Sequence, residues 1–140
     1  IWTASSYGIS KNINDIQARS ATLAYAVGDD QTVVKTGDGG GLWSLINTGI
    51  SSVDLKGVSF YDNSTGLVVG TAGKVYITSN NGVDWTALVS SSTDVLRKVH
   101  YFDQNNAWIV GVGSAYIGKL VVDPTASVLP ATAPRGEQPR

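Results

Sequence analysis

Histidine occurs once in this chain, at His100, and glutamate once, at Glu137. That scarcity decides much of the available chemistry. A Ser-His-Asp triad or a histidine-based metal cluster cannot be built from one histidine. There is no cysteine, so thiolate ligands and disulfides are excluded as well. Paired-carboxylate catalysis would have to draw on aspartates alone within the body of the chain. Asp29, Asp30 and Asp38 lie in glycine-rich stretches. They lack the alternating acidic run and terminal carboxylate of a calcium loop, which leaves them turn roles. Gly37-Asp38-Gly39-Gly40-Gly41 lacks the Lys-Ser/Thr pair and the following helix of a phosphate loop. Arg97, Lys98 and His100 form a small basic spot on a strand and are candidate partner-binding residues, suited to an acidic peptide. Asn63-Ser64-Thr65 has the acceptor pattern for glycosylation in a surface turn.

The elements that carry these residues are short strands. The chain has 140 residues, 42% hydrophobic and 15% charged, with 16 glycines, so it can bury a core. A net charge of −1 implies no general affinity for nucleic acid. No apolar run approaches the ~20 residues that span a bilayer. No cofactor motif is present. Methionine is absent, including at position 1. Ile1 therefore reads as a processed or excised start, and localisation stays open, with an extracytoplasmic setting favoured.

Trp2, Trp43 and Trp85 stand 41 and 42 residues apart. Around the last two, Thr36-Gly37-Asp38-Gly39-Gly40-Gly41-Leu42-Trp43 aligns with Thr78-Ser79-Asn80-Asn81-Gly82-Val83-Asp84-Trp85. Other positions recur at the same interval: Ile13, Leu55 and Leu96; Ile16, Val58 and Val99; Tyr25, Leu67 and Trp108; Val27-Gly28, Val69-Gly70 and Val110-Gly111. Each repeat contains alternating or continuous apolar runs separated by turn residues, the pattern of short strands. A period in the low forties with such content predicts an all-β fold, with antiparallel four-stranded blades of a β-propeller.

The expected organisation follows from the repeats. Residues 1–9 are the outer strand of an incomplete blade, because Trp2-Thr3-Ala4 matches Trp85-Thr86-Ala87. Residues 10–50 and 51–93 are two whole repeats, and 94–122 a partial one. Residues 123–140, with Pro124, Pro130, Pro134 and Pro139, read as an extended linker or tail. Two readings of the open ends stand side by side. Either the chain is a slice of a longer propeller, which the missing methionine favours, or its cut edges pair with other copies to complete a ring.

The motif has a mechanical reading. Asp38 and Asn80 can accept hydrogen bonds from the backbone of a turn, Gly40 and Gly82 permit positive φ, and Trp43 and Trp85 pack between blades. Trp2 and Trp108 are expected to pack between blades as well. Thr36-x-Asp38-x-Gly40-x-x-Trp43 resembles the Asp-box, or BNR, repeat; the second copy departs from it at Asn80. The longer pattern over Trp2 to Lys119 is most similar to the Ycf48/Hcf136-type propellers, which are photosystem II stability and assembly factors. The resemblance implies blade architecture and a structural role for Thr36, Asp38, Gly40, Trp43, Thr78, Asn80, Gly82 and Trp85.

Sialidases share the Asp box, and that resemblance would imply an arginine triad gripping a carboxylate and a Tyr-Glu nucleophile pair. Arg19 and Arg97 fall in the repeats, whereas Arg135, Arg140 and Glu137 fall in the tail. No Tyr-Glu pair forms within the blades. The chain is therefore expected to be a non-catalytic scaffold or protein-interaction module. The alternatives are a photosystem II assembly factor, a virion or cell-surface protein, and a sialidase-like or glycan-binding domain. Its partners would be proteins or other copies of itself, with a glycan as a further candidate. The binding loops would be drawn from Asp62–Thr65, Gln104–Asn106, Asp29–Gln31, Thr71–Gly73 and Val112–Ser114.

Overall fold

The computed structural model describes residues 8, 10–112, 117–121 and 127–130. Trp2, and with it the expected outer strand in 1–9, lies outside them. Among the described residues there are twelve strands. Blade 1 is β1 (Ile13–Ala18), β2 (Ala24–Gly28), β3 (Thr32–Thr36) and β4 (Trp43–Leu45). Blade 2 is β5 (Leu55–Phe60), β6 (Gly66–Gly70), β7 (Val75–Thr78) and β8 (Thr86–Ser90). Blade 3 is β9 (Leu96–Asp103), β10 (Asn106–Gly111), β11 (Ile117–Val121) and β12 (Ser127–Pro130). Within each blade successive strands pair antiparallel, which is the propeller architecture the period predicts.

One strand departs from the expected organisation. The stretch 123–140, read as a linker or tail, supplies β12, which pairs with β11 and meets β8 in parallel at Ser127↔Val89 and Val128↔Ser90. Val128 and Leu129 are good strand formers, and Pro130 stands at the strand's end, where its missing N–H costs least. Blade 3 thus has a fourth strand that carries no tryptophan.

The core lies between blades. One cluster joins Tyr25, Val27 and Val33 of blade 1 to Leu55, Val58, Phe60 and Val68 of blade 2. The other joins Leu67, Val69, Val75 and Leu88 of blade 2 to Leu96, Val99, Tyr101, Ala107 and Ile109 of blade 3. The period-2 alternation of β6 explains the division, since Val68 faces one neighbour while Leu67 and Val69 face the other. Both faces of β6 are covered, so it reads as a continuous apolar run. Tyr25 stacks on Phe60 with centroids 3.9 Å apart, and Trp85 stands edge-on to Phe60 at 6.4 Å. The glycine closing each second strand has a steric cause. A Cβ at Gly70 would come 2.2 Å from the Asp54 carbonyl oxygen, and one at Gly28 would come 2.0 Å from that of Asn12.

The two matched motifs fold as equivalent turns. The Thr36 hydroxyl donates to Asp38 Oδ1 (2.9 Å), which also accepts the Leu42 N–H (2.9 Å), while Thr36 Oγ1 accepts the Gly40 N–H (2.9 Å). In blade 2 the Thr78 hydroxyl donates to Asn80 Oδ1 (3.0 Å), Asn80 Oδ1 accepts the Asp84 N–H (2.9 Å), and Thr78 Oγ1 accepts the Gly82 N–H (3.0 Å). Gly40 and Gly82 hold φ of 95° and 82°. The Trp85 indole N–H donates to the Gly82 carbonyl at 2.8 Å, locking ring to turn. The bond from Leu42 N–H, with that from the Thr36 hydroxyl, holds the Asp38 carboxyl below its ordinary value of 3.8. Asn80 accepts the same kinds of bond without a charge.

Gly70→Ala should lose roughly 1–3 kcal/mol in urea denaturation, because backbone must move to admit the methyl group. Gly37→Ala, where a Cβ meets nothing within 4 Å, should change stability by no more than ~0.5 kcal/mol. A depressed folded-state pKa gives stability that is complete above the unfolded value and lost as pH falls through the folded one. The urea midpoint of the wild type should therefore exceed that of Asp38→Asn near neutrality, and the gap should close below pH 3.8. A gap that ignores pH would show that the charge contributes nothing.

Candidate functional site

The first strands of the blades, β1, β5 and β9, run side by side. In a four-stranded blade the first strand has a neighbour on one edge only, so its other edge exposes N–H and C=O groups that need partners. Side chains of the preceding blade supply them. Asp15 Oδ2 accepts the Val58 N–H at 3.0 Å. Gln17 behaves like a peptide group, its Oε1 accepting the Phe60 N–H and its Nε2 donating to the Phe60 carbonyl at 3.2 Å. Arg19 donates from Nη1 to the Phe60 carbonyl (2.9 Å) and from Nη2 to the Tyr61 carbonyl (3.1 Å). At the next junction Ser59 Oγ accepts the Tyr101 N–H at 2.9 Å.

Registers make Gln17, Ser59 and His100 equivalent, each lying opposite Tyr25, Leu67 or Trp108 on the second strand. The first two side chains meet the next blade. His100 is exposed, and no further blade follows blade 3 among the described residues. Trp108, expected to pack between blades, is accordingly 43% exposed where Tyr25 and Leu67 are fully buried. The Lys119 ammonium lies 5.3 Å above its ring, as Lys35 lies over Tyr25 at 5.5 Å.

A groove of about 350 Å³ runs along the first strands, walled by Ile16, Val58, Val99, Trp108 and Val110, with Asp15, Gln17, Lys98 and His100 as its polar groups. Lys98 Nζ donates to Asp15 Oδ1 at 2.9 Å, so Asp15 ties all three blades together. The Lys98 side chain remains 62% exposed, against 13% for Asp15. The structure therefore brings Lys98 and His100 together with Trp108. Arg97 is exposed on β9 but does not line the groove. The turns at Thr36–Trp43 and Thr78–Trp85 lie where third strands pass to fourth strands, away from the groove. Among the expected binding loops, Asp29–Gln31 carries two residues at positive φ, Asp30 and Gln31, and Thr71–Gly73 forms a 3-10 turn. Gly113 and Ser114 lie outside the described residues.

The sequence did not single out Asp15, Gln17 or Ser59, and it raised Arg19 only as a candidate for an arginine triad. Their signal was the alternation Asp15-x-Gln17-x-Arg19 in an otherwise apolar repeat, which also fits an ordinary solvent face. No group of three or more His, Cys, Asp or Glu able to hold a metal occurs among the described residues. Nor is any helix there long and apolar enough to cross a membrane.

Comparison with known proteins agrees with this architecture. The structure of YCF48 bound to D1 peptide matches with a TM-score of 0.76 and 19% identity, over 87% of this chain and 42% of that one. YCF48 from Cyanidioschyzon merolae matches with a TM-score of 0.71 and 19% identity, over 81% and 38%. An ancestral GH74 enzyme matches with a TM-score of 0.70 and 11% identity, over 92% and 20%. The chain thus spans less than half the length of each of these structures. No curated protein matches it. The family model for photosynthesis system II assembly factor YCF48 matches residues 1–92, more than half of the sequence, and the chain belongs to that family.

Proposed function

We propose that this chain is a non-catalytic, protein-binding segment of a propeller, and that its binding face is the groove along β1, β5 and β9. The observation that carries the reading is the composition of the groove. Exposed Lys98 and His100 stand beside the exposed ring of Trp108 and the aliphatic walls of Ile16 and Val110. Aromatic and basic groups around an apolar floor suit a peptide with an acidic and an apolar part. The protein-partner reading gains support from a family relative whose structure is described as bound to D1 peptide. Assembly of photosystem II is the more specific version of the proposal, with family membership as its support.

The non-catalytic part rests on how the candidate groups are used. Both terminal nitrogens of the Arg19 guanidinium donate to backbone carbonyls, so that arginine serves the blade junction rather than an anion clamp. Asp38 and Asn80 are turned into their own backbone turns. On this reading the Asp-box residues hold the blades and the groove holds the partner.

A photo-crosslinking amino acid placed at position 108 in the full chain should capture one defined partner protein in cells of the source. Lys98→Gln, which removes the charge and keeps a donor for Asp15, should reduce that capture severalfold, with circular dichroism unchanged. In parallel, the D1 peptide should bind the purified chain saturably, and more weakly as salt rises, if the photosystem II version holds. Absence of any specific crosslink at this face would refute the groove as the binding surface.

A further inference from the structure

The junction of blades 2 and 3 differs from that of blades 1 and 2 at its fourth strand. Ala24↔Thr36, Gly66↔Thr78 and Ala107↔Leu120 are equivalent pairs, so Leu120 takes the place of the motif threonines. Trp43 lies opposite Thr36, and Val128 lies opposite Leu120. Val128 therefore stands at the position that tryptophan holds in the other blades. Residues 117–140 contain no aromatic residue at all.

Between blades 1 and 2 this space is filled. Trp85 stands edge-on to Phe60, and Gly82 lies against Tyr25 and Ile46. The equivalents of Phe60 and Ile46 are Tyr101 and Leu88, and the equivalent of Tyr25 is the smaller Leu67. At the second junction Tyr101 and Leu88 form the floor of an open cleft of about 380 Å³. Tyr61 and Ile77, both half-buried, are its walls, and Tyr61 meets Tyr101 edge-on at 4.9 Å. Asn80 and Asp84 lie on its rim, the latter with a carboxylate that can accept an indole N–H. The volume falls in the usual range for ligand sites, roughly 300–1,000 Å³.

We infer that this cleft is a binding site for a tryptophan side chain carried on an extended segment of a partner protein. The inference rests on the reading of the chain as a protein-binding module, but uses a different surface from the β1, β5 and β9 groove. The occupant is specified by the chain itself: the equivalent space one blade earlier holds an indole on a strand that leaves an Asp-box turn. An extended partner segment would set its tryptophan on Leu88 and Tyr101 and its backbone along the rim.

The probe is a peptide spanning Thr78–Val89 of this chain, titrated into the isotope-labelled full chain and followed by NMR. Saturable shifts are expected at the amides of Ile77, Leu88 and Tyr101. The Trp85→Ala form of the peptide should bind about thirtyfold more weakly. Thr86→Trp, made in the protein at an exposed position of the cleft wall, should fill the site and abolish binding without disturbing the core. The inference is overturned by unsaturable binding, by equal affinity of both peptides, or by binding that Thr86→Trp leaves intact. It is also overturned if the wild-type chain sediments as a dimer that Trp2→Ala converts to monomer, since a second copy would then fill the cleft. Crosslinking at position 108 is unaffected by any of these outcomes, so the general binding-module reading stands or falls separately.

Discussion

The unpaired edge of each first strand is the constraint on which the arrangement of blades depends. A β-sheet edge is ordinarily a site of unwanted pairing and must be capped or covered. Here β1 caps β5 with side chains. Asp15, Gln17 and Arg19, on every second position and hence one side of the strand, reach the N–H and C=O groups of Val58, Phe60 and Tyr61. Each such bond adds only about 1 kcal/mol net, but leaving a buried amide unpaired costs roughly 1–3 kcal/mol. The junction is therefore specified by what its absence would cost. The stacked Tyr25 and Phe60 rings then contribute non-directional burial to an alignment that the polar bonds have already fixed.

The groove is a by-product of the same device. Because Asp15 serves both Val58 and Lys98, it sets the first strands of three blades side by side, and the Lys98 side chain stays largely exposed. The series Gln17, Ser59, His100 ends on an exposed residue, and Tyr25, Leu67, Trp108 ends on an exposed ring. Positions that build a junction between blades 1, 2 and 3 are exposed on blade 3, and the proposed recognition surface is made of them. The cleft at Tyr101 and Leu88 arises from the complementary irregularity, a repeat that keeps its strands and omits its tryptophan. In both places the proposed site lies where one repeat departs from the others.

The blade architecture was legible because it depends on local signals that recur. Trp43 and Trp85, the glycines at 28, 70 and 111, and the apolar runs of β6 and β10 announce strand, turn and period without tertiary information. Gly40 and Gly82 were legible as positive-φ residues for the same reason. The fourth strand of blade 3 was not, since Pro124 precedes it, Pro130 ends it, and a proline-rich stretch reads as linker until a neighbour's edge is seen to accept it. Nor were Asp15, Gln17 and Arg19 legible as junction residues. A polar side chain that bonds to backbone some forty residues away in sequence has the same local pattern as one that faces water. Lys98 and His100 were found as a basic spot, but their neighbours Trp108 and Ile16 come from other strands and only the fold assembles them.

Residue-resolved hydrogen–deuterium exchange of the Val58 and Phe60 amides, in the wild type and in Gln17→Ala, tests the side-chain capping of strand edges most directly. If capping holds the blades together, both amides are protected in the wild type, and Gln17→Ala speeds exchange at Phe60 by about tenfold or more while amides within β6 stay protected. Protection at Phe60 that survives Gln17→Ala unchanged would contradict the account, because the edge would then be held by something other than the side chain of the preceding blade.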